Sequence, residues 1–284
     1  MASLQYFNRN LQKKSLRMKY KMLVLDMDDT LLNDDHQISE KNKEMILKAQ
    51  EKGVYVVLAS GRPTPAMTHY AKDLSLHTFG SYIVAYNGGE IVDMTNEEVL
   101  FEQSISTEHL HELYDFSVAH NVHILAYLDG AIITESESKY IDLEAYLTGM
   151  PLRKVESFKE AINKPSIKCI MLEEPDYLAT VSDKLKAHID HKSITTSKPF
   201  FLEVMQKGID KAASLARLAE RLNIHPAEII AVGNANNDLT MIEYAGLGVW
   251  VDNVTPEIRH KADVIVASNN NDGVAEVIER YILN

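Results

Sequence analysis

Short, continuous apolar runs recur at both ends of this chain, each followed by a stretch with helical spacing. That alternation constrains the fold more than any other feature. MLVL at 22–25, YVVLAS at 55–60 and YIVAYNG at 82–88 open the series, and IIAVGN at 229–234, LGVWV at 247–251 and DVIVAS at 263–268 close it. A strand wet on one face would alternate apolar and polar residues, so an unbroken run implies burial on both faces. Between the runs lie helical patterns. KNKEMILKAQEK carries Met45, Ile46 and Ala49 at helical spacing, with Ser39 placed to cap its start and Gly53 to end it. Strand and helix in alternation predict an α/β fold, a doubly wound, mostly parallel Rossmann-like sheet with crossover helices.

The pattern breaks after Asn87. EIVDM and EEVLFEQ read as one hairpin, and ILAYLDGAIIT as another that turns at Asp129-Gly130. Helical stretches follow Ser106 and Pro175, with the strand IKCIML between them. Residues 88–206 are therefore expected to form an inserted α+β domain, with 19–87 and 207–284 as the core. Residues 1–18 are basic but lack the apolar segment of a signal peptide, and are expected to be a disordered leader or a tag.

Composition bears on partners. With 29 Lys and Arg against 41 Asp and Glu, the formal charge is −12, which argues against nucleic acid or an anionic membrane as a partner. A small molecule is the expected partner, and an anionic one would need a local positive field. No run approaches the ~18 apolar residues that span a bilayer. The single cysteine, Cys169, lies in an apolar strand and permits no internal disulfide, which fits a reducing cytoplasm. Neither GxSxG, Walker A nor GxGxxG occurs, so serine-hydrolase and nucleotide-motif readings have no support.

The chemistry concentrates at strand ends, where open sheets bind ligands. In DMDDT, Asp26 and Asp28 are two positions apart, so extended backbone aims both carboxylates at one crevice. Such a pair repels unless a hard cation such as Mg²⁺ lies between; taken alone it is equally a solvated acidic turn. After the second run, Ser60, Gly61 and Arg62 supply a hydroxyl, backbone amides and a guanidinium, a set that can clamp phosphate. Lys211 stands at a helix start, where the dipole disfavours a cation, so its position hints at another role. GNANNDLTM then adds Asn234, Asn237 and Asp238 after the next run.

Two Asp, a Ser, a Lys and an amide-acid cluster, in that order, resemble the four motifs of the haloacid dehalogenase superfamily. The resemblance covers nearly everything after residue 18. The long insertion between the second and third motifs, with its NGG at Asn87, is similar to the C2B cap of the Cof-type phosphatases. The resemblance implies a Mg²⁺-dependent phosphatase acting on a small phosphorylated metabolite such as a sugar phosphate. In that scheme Asp26 is the nucleophile that forms an aspartyl-phosphate, and Asp28 is the acid and base. Ser60 and Lys211 hold the phosphoryl oxygens, while Gly61, Arg62, Asn87 and Asn237 bind substrate. The metal is expected on Asp26, the Asp28 carbonyl and Asn234, with Asp238 orienting Lys211 or a metal-bound water.

This chain departs from the pattern at Asn234, where the family usually has an aspartate. An amide oxygen still ligates Mg²⁺ but brings no charge. Two other readings stand beside hydrolysis: a phosphotransferase or phosphomutase, and a phosphosugar sensor without turnover. A receiver-like switch would lack the insertion. His109, His111, His120 and His123 form no metal-ligand spacing and are expected at the surface or in the cap. Trp250 is expected to pack. Phe200, Phe201 and Glu203 are expected near the hinge where the chain returns, with Glu203 able to reach substrate.

Overall fold

In the computed structural model, which describes residues 19–189 and 192–284, the expected doubly wound sheet is present. The expectation for residues 1–18 lies outside the described residues. Along the chain the strands are β1 (Met22–Leu25), β2 (Tyr55–Ala59), β3 (Tyr82–Ala85), β4 (Glu90–Asp93), β5 (Glu98–Glu102), β6 (His123–Leu128), β7 (Ala131–Thr134), β8 (Leu152–Lys154), β9 (Lys168–Leu172), β10 (Lys192–Lys198), β11 (Phe201–Gln206), β12 (Ile229–Gly233), β13 (Leu247–Val251) and β14 (Val264–Val266). They form an eight-stranded sheet in the order β14-β13-β12-β1-β2-β3-β4-β5 and a six-stranded sheet in the order β10-β11-β9-β6-β7-β8.

The first sheet is parallel from β14 to β3. β1, β2, β12 and β13 are buried along nearly their whole length, as the unbroken apolar runs demand. The chain winds outward from β1 to β3 on one side and from β12 to β14 on the other. The order therefore reverses between β1 and β12, and the crevice at their carboxyl ends is where such a sheet offers a ligand site. Ser39 caps the helix Glu40–Glu51 by accepting from the Asn42 amide at 3.1 Å. That helix buries Met45, Ile46 and Ala49 against the sheet.

The hairpin β4–β5, expected within the insertion, belongs to the first sheet. β4 pairs antiparallel with β3, and β5 with β4. The hairpin follows β3 after a four-residue link, too short to reach another sheet, so it extends the edge it leaves. The second sheet starts only with β6. Its alternate residues face two ways. Ile124, Ala126, Cys169, Met171, Leu202 and Val204 pack under the helices Thr107–Ala119 and Pro175–His188. Leu125, Tyr127, Ile170, Leu172 and Phe201 join an apolar cluster continuous with the first sheet.

Phe201 and Glu203 lie within β11, not at the hinge, because β11 runs on to Gln206 before the chain crosses back. Trp250 is fully buried in β13 and its indole donates to the Ile258 carbonyl, which makes it core. Among the four histidines, His111 contacts the Ile162 carbonyl and His120 the Phe116 carbonyl, both local to the second sheet's helices. Cys169 is buried, and that burial pushes its thiol up to about 12. No helix among the described residues is long and apolar enough to cross a membrane.

Candidate active site

Asp26 follows β1, and its amide donates to the Val232 carbonyl of β12, which fixes it at the point where the strand order reverses. Lys211 opens the helix Lys211–Arg221, capped by Asp210 accepting from the Ala213 amide. The Lys211 side chain is fully buried, and its Nζ donates to Asp26 Oδ1 and to Asp238 Oδ1, each at 2.6 Å. A lysine placed against its helix dipole is thus held by two carboxylates. Burial works against its charge, but Asp238 and Asp26 hold its pKa above the usual lysine value.

Asp238 is placed by backbone. Its Oδ2 accepts from the amides of Asn234 and Ala235 at 3.0 and 3.1 Å. Gly233 makes this approach possible, since a Cβ there would lie 2.6 Å from the Asp238 Cβ. One Asp238 oxygen is on Lys211 and the other on two backbone amides. Of its two expected roles, the geometry suits orienting Lys211.

Asp26 and Asp28 differ sharply despite their spacing. Burial, then the facing Asp238 carboxylate, push Asp26 up to about 7 against the pull of Lys211. Asp28 lies in a kinked segment, and Arg62 grips it with Nε at 2.9 Å and Nη2 at 2.7 Å. Burial would raise Asp28, but the Arg62 hydrogen bonds and charge hold it below the usual carboxylate value. Arg62, expected on phosphate beside Ser60, is therefore engaged by Asp28 here. Serine and arginine stay linked, because the Arg62 amide donates to Ser60 Oγ at 3.1 Å.

Asn87 joins the same loop cluster. It adopts a left-handed backbone, φ 52°, its amide donates to the Ser60 carbonyl at 2.8 Å, and its side-chain oxygen accepts from Asn237 at 3.4 Å. Next to it, Gly88 has φ +108°, and any side chain would overlap the Asp210 carbonyl, so the turn seats directly on the start of the Lys211 helix. Sequence-expected residues from β1, β2, β3, β12 and the Lys211 helix are thus brought to one place.

The donor set suits a hard divalent cation. Three carboxylates, Asp26, Asp28 and Asp238, face two cations, Lys211 and Arg62, and burial followed by the Asp238 charge raises Asp26. Among the described residues no hydrogen bond occupies Asp26 Oδ2 or the Asn234 side chain. No group of three His, Cys, Asp or Glu side chains forms a metal cluster among the described residues. The expected donor set is not of that kind, since it counts the Asn234 amide and the Asp28 backbone carbonyl beside Asp26.

Sequence reasoning gave Glu203 only a passing role and omitted Lys168. Lys168 of β9 is buried, and its Nζ donates to Glu203 Oε1 at 3.1 Å and to the Gly61 carbonyl at 3.2 Å. The second sheet thereby touches the Ser60–Arg62 loop through a charged strut. Glu203 Oε2 is buried with no partner among the described residues. The only sequence signal was a lysine at the edge of an apolar run, which ordinarily marks a strand end.

Comparison with known proteins fits this geometry. Residues 23–278 match the haloacid dehalogenase-like hydrolase family. A Bacillus subtilis protein named "Putative phosphatase YxeH" is 34% identical over 269 residues, covering 93% of this chain and 99% of its own. The 5-amino-6-(5-phospho-D-ribitylamino)uracil phosphatase YcsE of the same organism is 31% identical, covering 93% and 96%. A haloacid dehalogenase-like hydrolase from Bacteroides thetaiotaomicron superposes with a TM-score of 0.89 at 38% identity, covering 92% of this chain and 99% of its own.

Proposed function

This chain belongs to the haloacid dehalogenase-like hydrolases and is a phosphatase of their Cof type; from that premise we propose that it hydrolyses sugar and sugar-alcohol phosphates with Mg²⁺, through an aspartyl-phosphate on Asp26. The observation that carries the reading is Lys211, fully buried and shared by Asp26 and Asp238 where the strand order reverses. A buried cation beside a carboxylate is what an attack by one anion on another requires. The substrate class draws on a relative named for a phosphate ester of a ribityl chain.

Asp26 Oδ2 attacks phosphorus, a P–O bond forms to the carboxylate, and the bond to the ester oxygen breaks. Asp28 gives its proton to the departing oxygen. Water then attacks the aspartyl-phosphate, Asp28 takes back a proton, and inorganic phosphate leaves. Ser60 Oγ and Lys211 Nζ hold phosphoryl oxygens, with Gly61, Asn87 and Asn237 around them. Arg62 has a double duty: while paired it keeps Asp28 ionised, and when it turns to the incoming phosphate it leaves Asp28 free to pick up the proton it must donate. Asp26, the Asp28 carbonyl and Asn234 are the residues to hold Mg²⁺, with Asp238 keeping to Lys211. The ion would neutralise charge between phosphate and Asp26.

The test is phosphate release from a panel of sugar phosphates, with and without Mg²⁺, beside Asp26→Asn. Release that survives Asp26→Asn, or ignores removal of the metal, sinks the reading. Asn234 favours one second reading, a phosphosugar sensor, which would bind the same panel and release no phosphate.

A further inference from the structure

A cavity of about 540 Å³ lies away from the catalytic carboxylates. It opens between the β4–β5 hairpin of the first sheet and the β6–β7 turn of the second, with Ser104, where the chain leaves the first sheet, on its wall. Its walls combine apolar surface, including Val92, Met94, Met150 and Ile167, with carboxylates.

Two of those carboxylates stand in an arrangement that costs stability unless something compensates. Glu90 and Glu102 are directly paired across β4 and β5, and both line the cavity. Like charges opposite each other on neighbouring strands repel. Thr64 donates to Glu90 and Ser104 to Glu102, so each has a neutral partner, but no cation balances either among the described residues. The one lysine in the lining, Lys164, is already paired with Asp129.

A second observation is independent of the acids. Tyr86 is 6% exposed and lines the same cavity, yet its hydroxyl makes no hydrogen bond among the described residues. Here the hydroxyl lies in the field of Glu90 and Glu102 without bonding to either. A metal ion does not fit, since the walls are half apolar and no metal-like cluster forms.

We propose that this cavity is a binding site for a small organic ammonium ion, whose charge sits between Glu90 and Glu102, whose nitrogen or neighbouring oxygen meets the Tyr86 hydroxyl, and whose carbon skeleton covers Met94 and Met150. The occupant touches both sheets, so it ties the insertion to the core at the point where the chain crosses between them. The site is separate from Asp26 and independent of the reaction assigned there.

The test is calorimetric titration of the full chain with 1,4-diaminobutane, with 1,4-butanediol as the neutral probe of the same length. The diamine should bind and raise the melting temperature, and the diol should do neither. Glu102→Gln, at an exposed position that leaves the fold intact, should weaken diamine binding about tenfold, and Tyr86→Phe should weaken it several-fold. Glu51→Gln, on a distant surface, should change nothing, and Asp26→Asn should bind the diamine as wild type does. Equal binding of diamine and diol, or unchanged affinity in both Glu102→Gln and Tyr86→Phe, overturns the proposal.

Discussion

Two buried lysines each hold an ion pair, Lys211 at the start of a core helix and Lys168 in β9 of the second sheet. Lys211 in the core is held by two carboxylates, Asp26 and Asp238, whereas Lys168 in the insertion has one carboxylate, Glu203, and a backbone carbonyl of the catalytic loop. Both are ion pairs removed from water, where desolvation offsets much of the attraction. The difference lies in what remains unsatisfied. Around Lys211 two carboxylates share one cation. Around Lys168 a second buried carboxylate, Glu144, lies in the field of both Lys168 and Glu203, and among the described residues Glu203 Oε2 has no partner. The first arrangement is built for chemistry on an anion, the second for joining two bodies.

Breaking the first lysine should have the largest effect. Lys211→Met leaves Asp26 and Asp238 facing each other unpaired, which costs about 3–5 kcal/mol in a urea melt, and phosphate release should fall by about 10³-fold. Retained turnover would remove Lys211 from the reaction. Lys168→Met should cost about 3 kcal/mol for the stranded Glu203, with a smaller loss of rate. Adding Glu203→Leu should recover most of that stability, since a buried pair replaced by apolar side chains is often neutral. A double variant as unstable as the single would show that the pair is not an isolated unit.

The charge imbalance around Lys211 also has a pH signature. Asp26 is raised in the fold from the ordinary 3.8 to about 7, so its contribution to stability is complete below the ordinary value and disappears as pH climbs through about 7. Metal-free protein should therefore melt lower at pH 8 than at pH 5, and Mg²⁺ should raise the melting temperature more at pH 8. Equal Mg²⁺ shifts at both pH values would detach the ion from Asp26. Asp28 moves oppositely. Arg62→Ala removes the partner that holds it ionised, so the alkaline limb of the rate profile should shift to higher pH. A limb that stays put would take Asp28 out of the proton transfer. The smallest effect is expected for Asn234→Asp, which should lower the Mg²⁺ concentration for half-maximal rate several-fold by adding a charge.

The core's strands and its cluster of polar strand ends were legible because both leave local marks. An unbroken apolar run names a doubly buried strand, and DMDDT, SGR and GNANNDLTM each sit directly after one. What was not legible is set by pairing over long distances. The hairpin Glu90–Glu102 reads identically whichever sheet it extends, and only the short turn after β3 decides. Arg62 could meet phosphate or Asp28, a choice between partners 34 positions apart that spacing does not encode. Lys168 and Glu203 read as strand residues, and nothing local tells that their side chains meet under the Ser60–Arg62 loop.

The chain leaves the first sheet after Glu102 and comes back after Gln206, and the two passages lie against each other, the Gln206 amide donating to the Ser104 carbonyl at 3.0 Å. Entry and exit of a hundred-residue module are thus neighbours, and a turn of a few residues would join Gln103 to Lys207. The β4–β5 hairpin stays behind and shields the edge that removal would otherwise bare. A core with this layout can shed or exchange its lid as a cassette, keeping Asp26, Lys211 and Asp238 while acquiring a different roof. New substrates could then arise by recombination at two adjacent points, without remodelling the catalytic floor.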